Sequence, residues 1–343
     1  MRMRAGWVVL CMLLLAATTA LPSSGDLVCA QCHRAETARA RESPMARALV
    51  PATQCNILRA HPELNFTEGI YRSSIRWEGD RSILSVTDGR QTLTVPLLWA
   101  FGNGKAGQTY VFEHDGALYE SRVSFYSALN GLDLTMGARG TAPRTIEVAA
   151  GRRMDAIGAR ECFGCHSTGA VAHRALQLES LVPGVGCESC HGPGEKHAAA
   201  VRAGDAAHAG LPKLGALDAE EMNELCGRCH RTWQQIALQG PLGVNNVRFQ
   251  PYRLTNSKCY DPADVRIRCT ACHDPHGPLE TNPAAYDRKC AACHSSGAQG
   301  KTCAVAKAGC VSCHMPKVEL PGAHARFTDH QIRIARAGEQ YPN

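Results

Sequence analysis

The stretch Cys187-Glu-Ser-Cys-His-Gly-Pro-Gly-Glu-Lys-His197 contains the motif Cys-x-x-Cys-His, followed six residues later by a second histidine. The motif occurs seven times in 343 residues. It is the attachment signature of c-type haem, in which both thiols bond to the porphyrin and the adjacent imidazole becomes an iron ligand. The sequence therefore predicts seven covalently attached haems. The motif residues are Cys29, Cys32 and His33; Cys162, Cys165 and His166; Cys187, Cys190 and His191; Cys226, Cys229 and His230; Cys269, Cys272 and His273; Cys290, Cys293 and His294; and Cys310, Cys313 and His314.

Two other chemistries use a Cys-x-x-Cys pair. The pair forms half of many zinc sites, and it is also the reactive group of dithiol redox proteins. Every Cys-x-x-Cys pair of this chain is followed by histidine, which neither alternative requires. The pattern therefore favours haem over zinc or dithiol chemistry.

The N-terminus predicts a signal peptide over residues 1–20. Two arginines between Met1 and Arg4 precede an apolar run over 5–17, and small residues end at Ala20. The alternative is an uncleaved anchor, although the run is short for a membrane span. A lipoprotein is less favoured, because Cys29, the first cysteine after the run, belongs to a motif. We expect an exported, periplasmic protein, since haem attachment takes place outside the cytoplasm.

Four cysteines lie outside the motifs: Cys11, Cys55, Cys259 and Cys303. Cys11 falls in the predicted signal peptide. A disulfide between Cys259 and Cys303 would close a 45-residue loop and stabilise an exported chain by roughly 4 kcal/mol. We predict this disulfide, with Cys55 left free. The alternative is a pair of unpaired thiols packed as small apolar groups.

Composition indicates that the haems themselves form the core. The chain has only 4 Trp, 8 Tyr and 7 Phe, and the 153 residues from Cys162 to His314 contain six motifs. So few residues for each haem cannot build an ordinary side-chain core. The formal charge of +6 falls to about +4 without Arg2 and Arg4, and the carboxylates of seven haems would bring it to roughly −10. A nucleic acid partner is therefore not indicated.

The sequence between motifs one and two differs from the rest. From about Ile70 to Tyr126, short apolar and β-branched runs alternate with turn signals such as Asp88-Gly89 and Asp115-Gly116, which predicts antiparallel hairpins. After Cys162 the pattern becomes helical and rich in loops, and Asp218 with Glu221 predicts a capping box. We expect a protein that is mainly α and loop, with haems forming the core and a small antiparallel β-rich insert. The predicted segments are 1–20, signal peptide; 21–54, first haem-binding segment; 55–150, β-rich insert; and 151–343, six-haem region with a C-terminal ligand strap.

The second axial ligand of each iron decides whether that iron is closed or open to substrate. His197 and His276 follow motifs three and five so closely that they point towards neighbouring haems. His324 and His330 follow the last motif in a tail that Pro316 and Pro321 keep extended. An extended strap separates these two histidines by up to roughly 20 Å, so we predict that each serves a different iron. The alternative is a frayed C-terminus with solvated histidines.

Several stretches resemble exported bacterial multihaem cytochromes c, some of which are fused to tetratricopeptide repeats. The matching stretches are Ser43-Pro-Met-Ala, Gly107-Gln-Thr-Tyr-Val-Phe, Glu120-Ser-Arg-Val-Ser-Phe-Tyr, Cys187 to His197, Phe249-Gln-Pro-Tyr-Arg-Leu-Thr-Asn-Ser-Lys-Cys259, Cys269 to His276, and Phe327-Thr-Asp-His-Gln-Ile-Arg. The haem-rich half is also similar to the tetrahaem cytochrome and hydroxylamine oxidoreductase superfamily. This resemblance implies second axial ligands at His197, His276, His324 and His330, with His61 as a weaker candidate. His114, His173 and His208 match no family motif. The chain lacks the Cys-x-x-Cys-Lys motif of pentahaem nitrite reductases.

Two function classes follow. The first is an electron-transfer cytochrome with mostly bis-His haems, which needs no catalytic residues and exchanges electrons with other cytochromes or a quinol-linked membrane complex. The second is a reductase or oxidase of a small nitrogen or sulfur compound at one five-coordinate haem. We favour electron transfer, because nothing in the sequence groups acid–base or anion-binding residues around one iron. Peripheral contact with a membrane stays open, and the β-rich insert could bind a partner or sense a ligand in either class.

Overall fold

The computed structural model describes residues 26–205, 207–294, 303, 305–336 and 338–343. The predicted signal peptide, with Cys11, lies outside the described residues. None of the helices in the described ranges is long and apolar enough to cross a membrane. The α-helices are α1 (Asp26–Cys29), α2 (Arg34–Ala40), α3 (Asn56–Ala60), α4 (Ile146–Ala150), α5 (Ala156–His166), α6 (Glu188–His191), α7 (Glu195–Arg202), α8 (Ala219–His230), α9 (Trp233–Gln239), α10 (Gln250–Thr255), α11 (Cys269–Cys272), α12 (Pro283–His294) and α13 (Cys310–His314).

The strands concentrate between motifs one and two. The first nine are β1 (Leu49–Pro51), β2 (Glu63–Glu68), β3 (Tyr71–Glu78), β4 (Arg81–Thr87), β5 (Thr92–Gly104), β6 (Gly107–His114), β7 (Ala117–Tyr126), β8 (Gly131–Leu134) and β9 (Gly151–Arg153). They form one sheet in which β2 to β8 follow chain order, β1 pairs with β5 and β9 pairs with β7. All these pairs are antiparallel. The remaining strands form three two-stranded pairs: β10 (Ser167–Thr168) with β13 (Val182–Pro183), β11 (Val171–Ala172) with β12 (Ala175–Leu176), and β14 (Lys317–Leu320) with β15 (Ala325–Thr328).

Side-chain alternation explains the sheet. In β4, Ser82, Leu84 and Val86 are buried while the residues between them are partly exposed. A strand has this period of two because successive side chains point to opposite faces. The predicted hairpin at Asp115-Gly116 is confirmed, since both residues have positive φ and join β6 to β7. Such a turn matches the twist of the strands it connects.

The sheet has a side-chain core of its own. Leu84, Tyr110 and Phe112 are fully buried in it, and the short helix α4 covers them with Ile146 and Ala149. An ion pair of 2.6 Å joins Glu68 of β2, the first strand of this order, to Arg122 of β7, the last strand but one. The sheet therefore curls so that its distant strands meet.

The expectation of a mainly α protein with a small β-rich insert is wrong. Among the described residues 26% lie in strands and 35% in helices, and the large sheet has nine strands. The physical reason is that the apolar side chains of residues 52–150 pack on one another in a large buried cluster. Leu49, Phe101 and Val111 of the same sheet pack in a second cluster with Phe163. Because the hairpins share this core, they join into one nine-stranded sheet. This part of the chain is therefore a large structural unit and not a small insert.

The motif-bearing part folds differently. The predicted capping box at Asp218 and Glu221 is confirmed at the start of α8. Between residues 171 and 314, the buried apolar side chains of the described chain are few: Ala219, Met222, Ile236, Val247 and Tyr252. A stretch of this length with so little side-chain packing is the arrangement expected where prosthetic groups supply the core.

The sheet and the motif region meet at α5. The ring of Phe163, within motif two, lies 5.0 Å from that of Phe101 and 6.1 Å from that of Trp99, edge to face in both cases. Both partners belong to β5. This aromatic contact fixes motif two against the sheet.

Candidate haem centres

Most motifs form one turn of helix or end a helix, as in α5, α6, α8, α12 and α13. In motifs one and five the histidine lies beyond the helix, but its backbone N–H still donates to the carbonyl oxygen of the first cysteine, as in a helical turn. In a helical turn, positions i, i+3 and i+4 share one face. The two thiols and the imidazole of each motif therefore point to the same side. Where the helix is longer its start is capped, as by Asp155, whose carboxylate accepts a 2.6 Å hydrogen bond from the backbone N–H of Gly158.

Three of the motif histidines face a second histidine from outside the motifs. The rings of His33 and His197 have centres 6.4 Å apart and lie 27° from parallel. The corresponding values are 6.1 Å and 16° for His191 with His276. For His273 with His330 they are 6.1 Å and 40°.

The spacing of these pairs fits an iron between the rings. Rings in direct face contact would lie about 3.5–4 Å apart. Two imidazole nitrogens bound on opposite sides of one metal ion, each at about 2 Å, place the ring centres roughly 6 Å apart. All three pairs have this separation, and each joins one motif histidine to one other histidine. The residues present therefore fit a haem held from both faces.

The pairs follow a rule along the chain. His197 follows motif three and faces the histidine of motif one, while His276 follows motif five and faces that of motif three. His330 follows motif seven and faces that of motif five. Each facing histidine thus comes from the segment that follows the motif two places further along the chain. We call this pattern the histidine relay.

Backbone carbonyls orient several of the rings. The Nδ1 atom of His197 lies 2.6 Å from the carbonyl oxygen of Ala209, and that of His330 lies 3.0 Å from that of Thr328. A hydrogen bond donated by Nδ1 leaves Nε2 unprotonated and available to a metal. Burial also lowers the pKa of His330 to about 4. The ring is therefore neutral at pH 7, which is the form that binds iron.

A buried ion pair holds the tail that contains His330. Arg253 of α10 and Asp329 both have fully buried side chains, and their two hydrogen bonds measure 2.8 and 3.0 Å. Burial alone would raise the pKa of Asp329, but hydrogen bonds from Arg253 and the backbone lower it below its ordinary value. Ser257 also donates a 3.1 Å hydrogen bond to the carbonyl oxygen of His330. The tail is thus fixed next to motif five.

Thiol contacts join motif four to two other motifs. The sulfur atoms of Cys229 and of Cys165 in motif two lie within hydrogen-bond reach of each other. The same holds for Cys226 and Cys269 of motif five. Motifs two and five are therefore both immediate neighbours of motif four.

The other motifs continue this series. Asp26, just before motif one, accepts a 3.1 Å hydrogen bond from the backbone N–H of Cys187 in motif three. Motif three also adjoins motif two, because the hydroxyl of Ser189 lies 2.9 Å from that of Thr168. The helices of motifs five, six and seven are in contact in sequence, α11 with α12 and α12 with α13. All seven motifs thus belong to one connected group.

The structure does not bring His61 and His324 to a motif histidine. The Nδ1 and Nε2 atoms of His61 lie 2.8 and 2.9 Å from the carbonyl oxygen of Ile57 and from Oδ1 of Asn130. The Nε2 atom of His324 lies 2.6 Å from a carboxylate oxygen of Asp133. His61 and His324 therefore do not face a motif histidine, and their assignment as second axial ligands stays a prediction.

The predicted disulfide is wrong. Cys259 and Cys303 are both exposed free thiols. The backbone N–H of Ala306 interacts with Cys303, which lowers its pKa. Cys55 is free, as predicted, and its thiol donates a 3.0 Å hydrogen bond to Oε1 of Gln108 in the core of the sheet.

Sequence reasoning missed the arginines that support the site. Arg253 and Asp329 both lie in stretches that resemble other multihaem cytochromes, but the resemblance gives neither residue a role. The available signal was the position of Asp329 immediately before His330. No comparable signal marks Arg248, which lies beside a cavity near motif four.

Comparison with known proteins agrees with this geometry. Residues 140–192, which include motifs two and three, match the family model for cytochrome c554 and c-prime. The comparisons support an exported multihaem cytochrome c family. The chain is 25% identical over 179 residues to the multiheme cytochrome MtrA of Shewanella baltica (strain OS185), a match that covers 40% of this chain and 53% of that protein. The matched region thus spans about half the length of this curated relative.

A solved cytochrome structure also shares the fold. The crystal structure of the outer cell wall cytochrome OcwA matches with a TM-score of 0.54 and 15% identity, covering 91% of this chain and 79% of that one. At this level of identity the likeness shows the fold alone.

Proposed function

We propose that this chain is a heptahaem c-type cytochrome that transfers electrons through closely packed, mostly bis-His haems in the periplasm. The observation that carries the proposal is the set of three imidazole pairs with ring centres 6.1–6.4 Å apart. An iron bound by histidine on both faces is closed to substrate and suited to electron transfer. The count of seven rests on the seven motifs of the sequence.

The contacts between motifs support a continuous route. Cys165 and Cys229 link motifs two and four, and Cys226 and Cys269 link motifs four and five. Haems attached to adjoining motifs would lie close together. The bound haems would supply the redox chemistry. The chain's part is to attach them, orient the ligand rings and exclude water.

Rigid ligand placement is the main contribution of the polypeptide. The carbonyl oxygens of Ala209 and Thr328 hold the rings of His197 and His330, and Arg253 holds the tail behind His330. Fixed ligands change little in geometry between oxidation states. Such pre-organisation lowers the cost of moving an electron.

The domain arrangement and partners belong to the same proposal. We assign residues 1–20 to a signal peptide, 21–54 to the first haem-binding segment, 55–150 to the sheet and 151–343 to the six-haem region. Phe101 of the sheet contacts both Phe163 and His166 of motif two. The sheet would therefore shield the haem attached there from solvent. Redox proteins such as other cytochromes or a quinol-linked membrane complex would exchange electrons with the exposed haems.

One observation favours the alternative function, a reductase or oxidase of a small nitrogen or sulfur compound. Within the ranges that the structure describes, the motif histidines His166, His230, His294 and His314 have no second imidazole at the spacing of the relay pairs. An iron with an open face could bind a substrate. The same spectroscopic measurement tests both functions.

The test uses the purified, haem-loaded protein. Its mass should exceed that of the processed polypeptide by seven haems. Electron paramagnetic resonance of the oxidised protein should show low-spin signals from at least the three relay haems. A high-spin signal of one haem that nitrite or hydroxylamine shifts would support the enzyme instead. A protein with fewer than seven haems, from a host competent in haem attachment, would contradict the heptahaem proposal.

A further inference from the structure

A cavity of about 260 Å³ lies beside motifs two and four. Its polar lining consists of Glu161, Arg231, Gln235, Gln239 and Arg248. Glu161 directly precedes Cys162 of motif two, and Arg231 directly follows His230 of motif four. The cavity therefore adjoins the place where these two motifs meet.

Arg231 has a partner and a constrained backbone. It forms a 2.8 Å ion pair with Glu161, and its φ angle is +65°. A positive φ is uncommon for a residue other than glycine, and it persists where surrounding contacts require it. The backbone is therefore held so that the side chain of Arg231 lies along the cavity, where Glu161 neutralises its charge.

Arg248 is not neutralised in this way. Its Nε atom is buried and, among the described residues, has no hydrogen-bond acceptor. Its guanidinium group lies 5.0 Å from the ring centre of Phe249, and one terminal nitrogen lies 3.8 Å from the sulfur of Met136. Burial and the nearby charge of Arg231 lower the pKa of Arg248. Within the described ranges no carboxylate forms an ion pair with it.

The charges of the cavity lining do not cancel. Glu161 contributes one negative charge, and Arg231 and Arg248 contribute two positive charges. A partly buried guanidinium without an anion is costly, because its desolvation is not offset. The amides of Gln235 and Gln239 add donors on the same wall. This lining suits a single oxyanion.

We propose that Arg248, together with Arg231, binds an oxyanion in this cavity, either a carboxylate of a haem attached at motif two or four or a small free oxyanion. The proposal rests on the proposed function, since it requires haems at these motifs. A guanidinium is the side chain best suited to bind a carboxylate through two hydrogen bonds. In either case Arg248 places a positive charge beside a haem and favours its reduced form.

The experiment is a redox titration of the haem-loaded protein and its Arg248→Gln variant, with acetate as the free oxyanion and chloride at equal ionic strength as the reference. Arg248→Lys keeps the charge, and Arg90→Gln removes an exposed arginine from a sheet turn as the matched control. If a haem carboxylate is bound, Arg248→Gln should lower the midpoint of one haem by about 59 mV, which is tenfold in its reduction equilibrium. Acetate should then have no effect on the wild type.

If a free oxyanion is bound, acetate should shift one midpoint of the wild type saturably, and Arg248→Gln should weaken this response at least tenfold. Arg248→Lys should retain most of either effect, whereas Arg90→Gln should behave as the wild type. The inference would be overturned if Arg248→Gln left every haem midpoint unchanged and acetate either had no effect on the wild type or had the same effect on wild type and variant. A protein that binds no haem at motifs two and four would instead refute the proposed function, and mass spectrometry distinguishes the two outcomes.

Discussion

Replacing Arg253 with methionine tests whether one buried ion pair holds the ligand tail next to motif five. The guanidinium group is fully buried and binds Asp329 through two hydrogen bonds of 2.8 and 3.0 Å. It also donates to Oε1 of Gln331 at 2.6 Å and to the carbonyl oxygen of Pro342 at 2.7 Å. Methionine has a similar apolar length but none of these donors. The variant therefore leaves Asp329 buried without its main partner.

The expected loss of stability follows from this geometry. Removing one member of a buried ion pair costs about 3–5 kcal/mol, because the other charge stays desolvated. Arg333 still binds Asp329 at 2.6 Å and offsets part of this cost. We therefore expect a decrease of about 3 kcal/mol in the free energy of unfolding, roughly a hundredfold in the unfolding equilibrium constant.

The assay combines denaturant unfolding with electron paramagnetic resonance of the oxidised protein. The tail loses its anchor, so His330 should detach from the iron of motif five in part of the population, and a high-spin signal should appear. Arg326→Met, an exposed change in β15 of the same tail, is the control and should alter neither measurement. A loss below about 1 kcal/mol in Arg253→Met, with unchanged low-spin spectra, would refute the reasoning, since this is the range of exposed ion pairs.

Three further predictions concern other parts of the chain. His276→Ala should convert one haem in seven from low spin to high spin, whereas His61→Ala should leave the spectrum unchanged, because both nitrogens of His61 already have protein partners. Gly184→Ala should lower the free energy of unfolding by about 1–3 kcal/mol, since the new Cβ would overlap the backbone carbonyl of Ala46. Gly89→Ala should lower it by less, because no atom lies within 4 Å of the new Cβ. Calorimetry measures both free energies, and equal losses would contradict the steric explanation. Cys55 should resist alkylation at pH 8 in the native state and react after denaturation, because burial raises its pKa. Because the pKa of Cys55 is higher in the folded state, the buried thiol stabilises the fold below its unfolded pKa, and this stabilisation is lost as the pH rises through the folded pKa. Rapid labelling of the native protein would contradict the prediction, because it would show that the sheet opens.

The pairing of the first two relay histidines with motif histidines could be predicted because it depends on local sequence. His197 and His276 stand within six residues of a motif histidine, so a short turn determines where each can reach. The hairpin at Asp115-Gly116 was predictable for the same reason, since both residues adopt positive φ in a tight turn. Local sequence determines such features before any tertiary contact forms.

The tail shows where local reasoning fails. The prediction of an extended tail agrees with the β14–β15 hairpin, and His330 faces His273. His324, however, lies in the turn between these two strands with a φ of +50°, and its ring centre lies 4.8 Å from that of Tyr126. Its position depends on how the sheet packs against the tail, 191 residues away from Asp133 in sequence. The spacing of residues within the tail therefore does not predict the contact between His324 and Asp133.

The relay and the thiol contacts together constrain the order of the motifs in space. The relay ties motif one to three, three to five and five to the segment behind seven, through His197, His276 and His330. The thiol contacts add motif four between two and five, through Cys229 and Cys226. Motif two, fixed to the sheet by Phe163, adjoins motif four through Cys165. It also adjoins motif three, because the hydroxyl of Thr168 lies 2.9 Å from that of Ser189. In the proposed electron route the sheet-bound haem would therefore have two neighbours, and the cavity lined by Arg248 lies beside one of these two junctions.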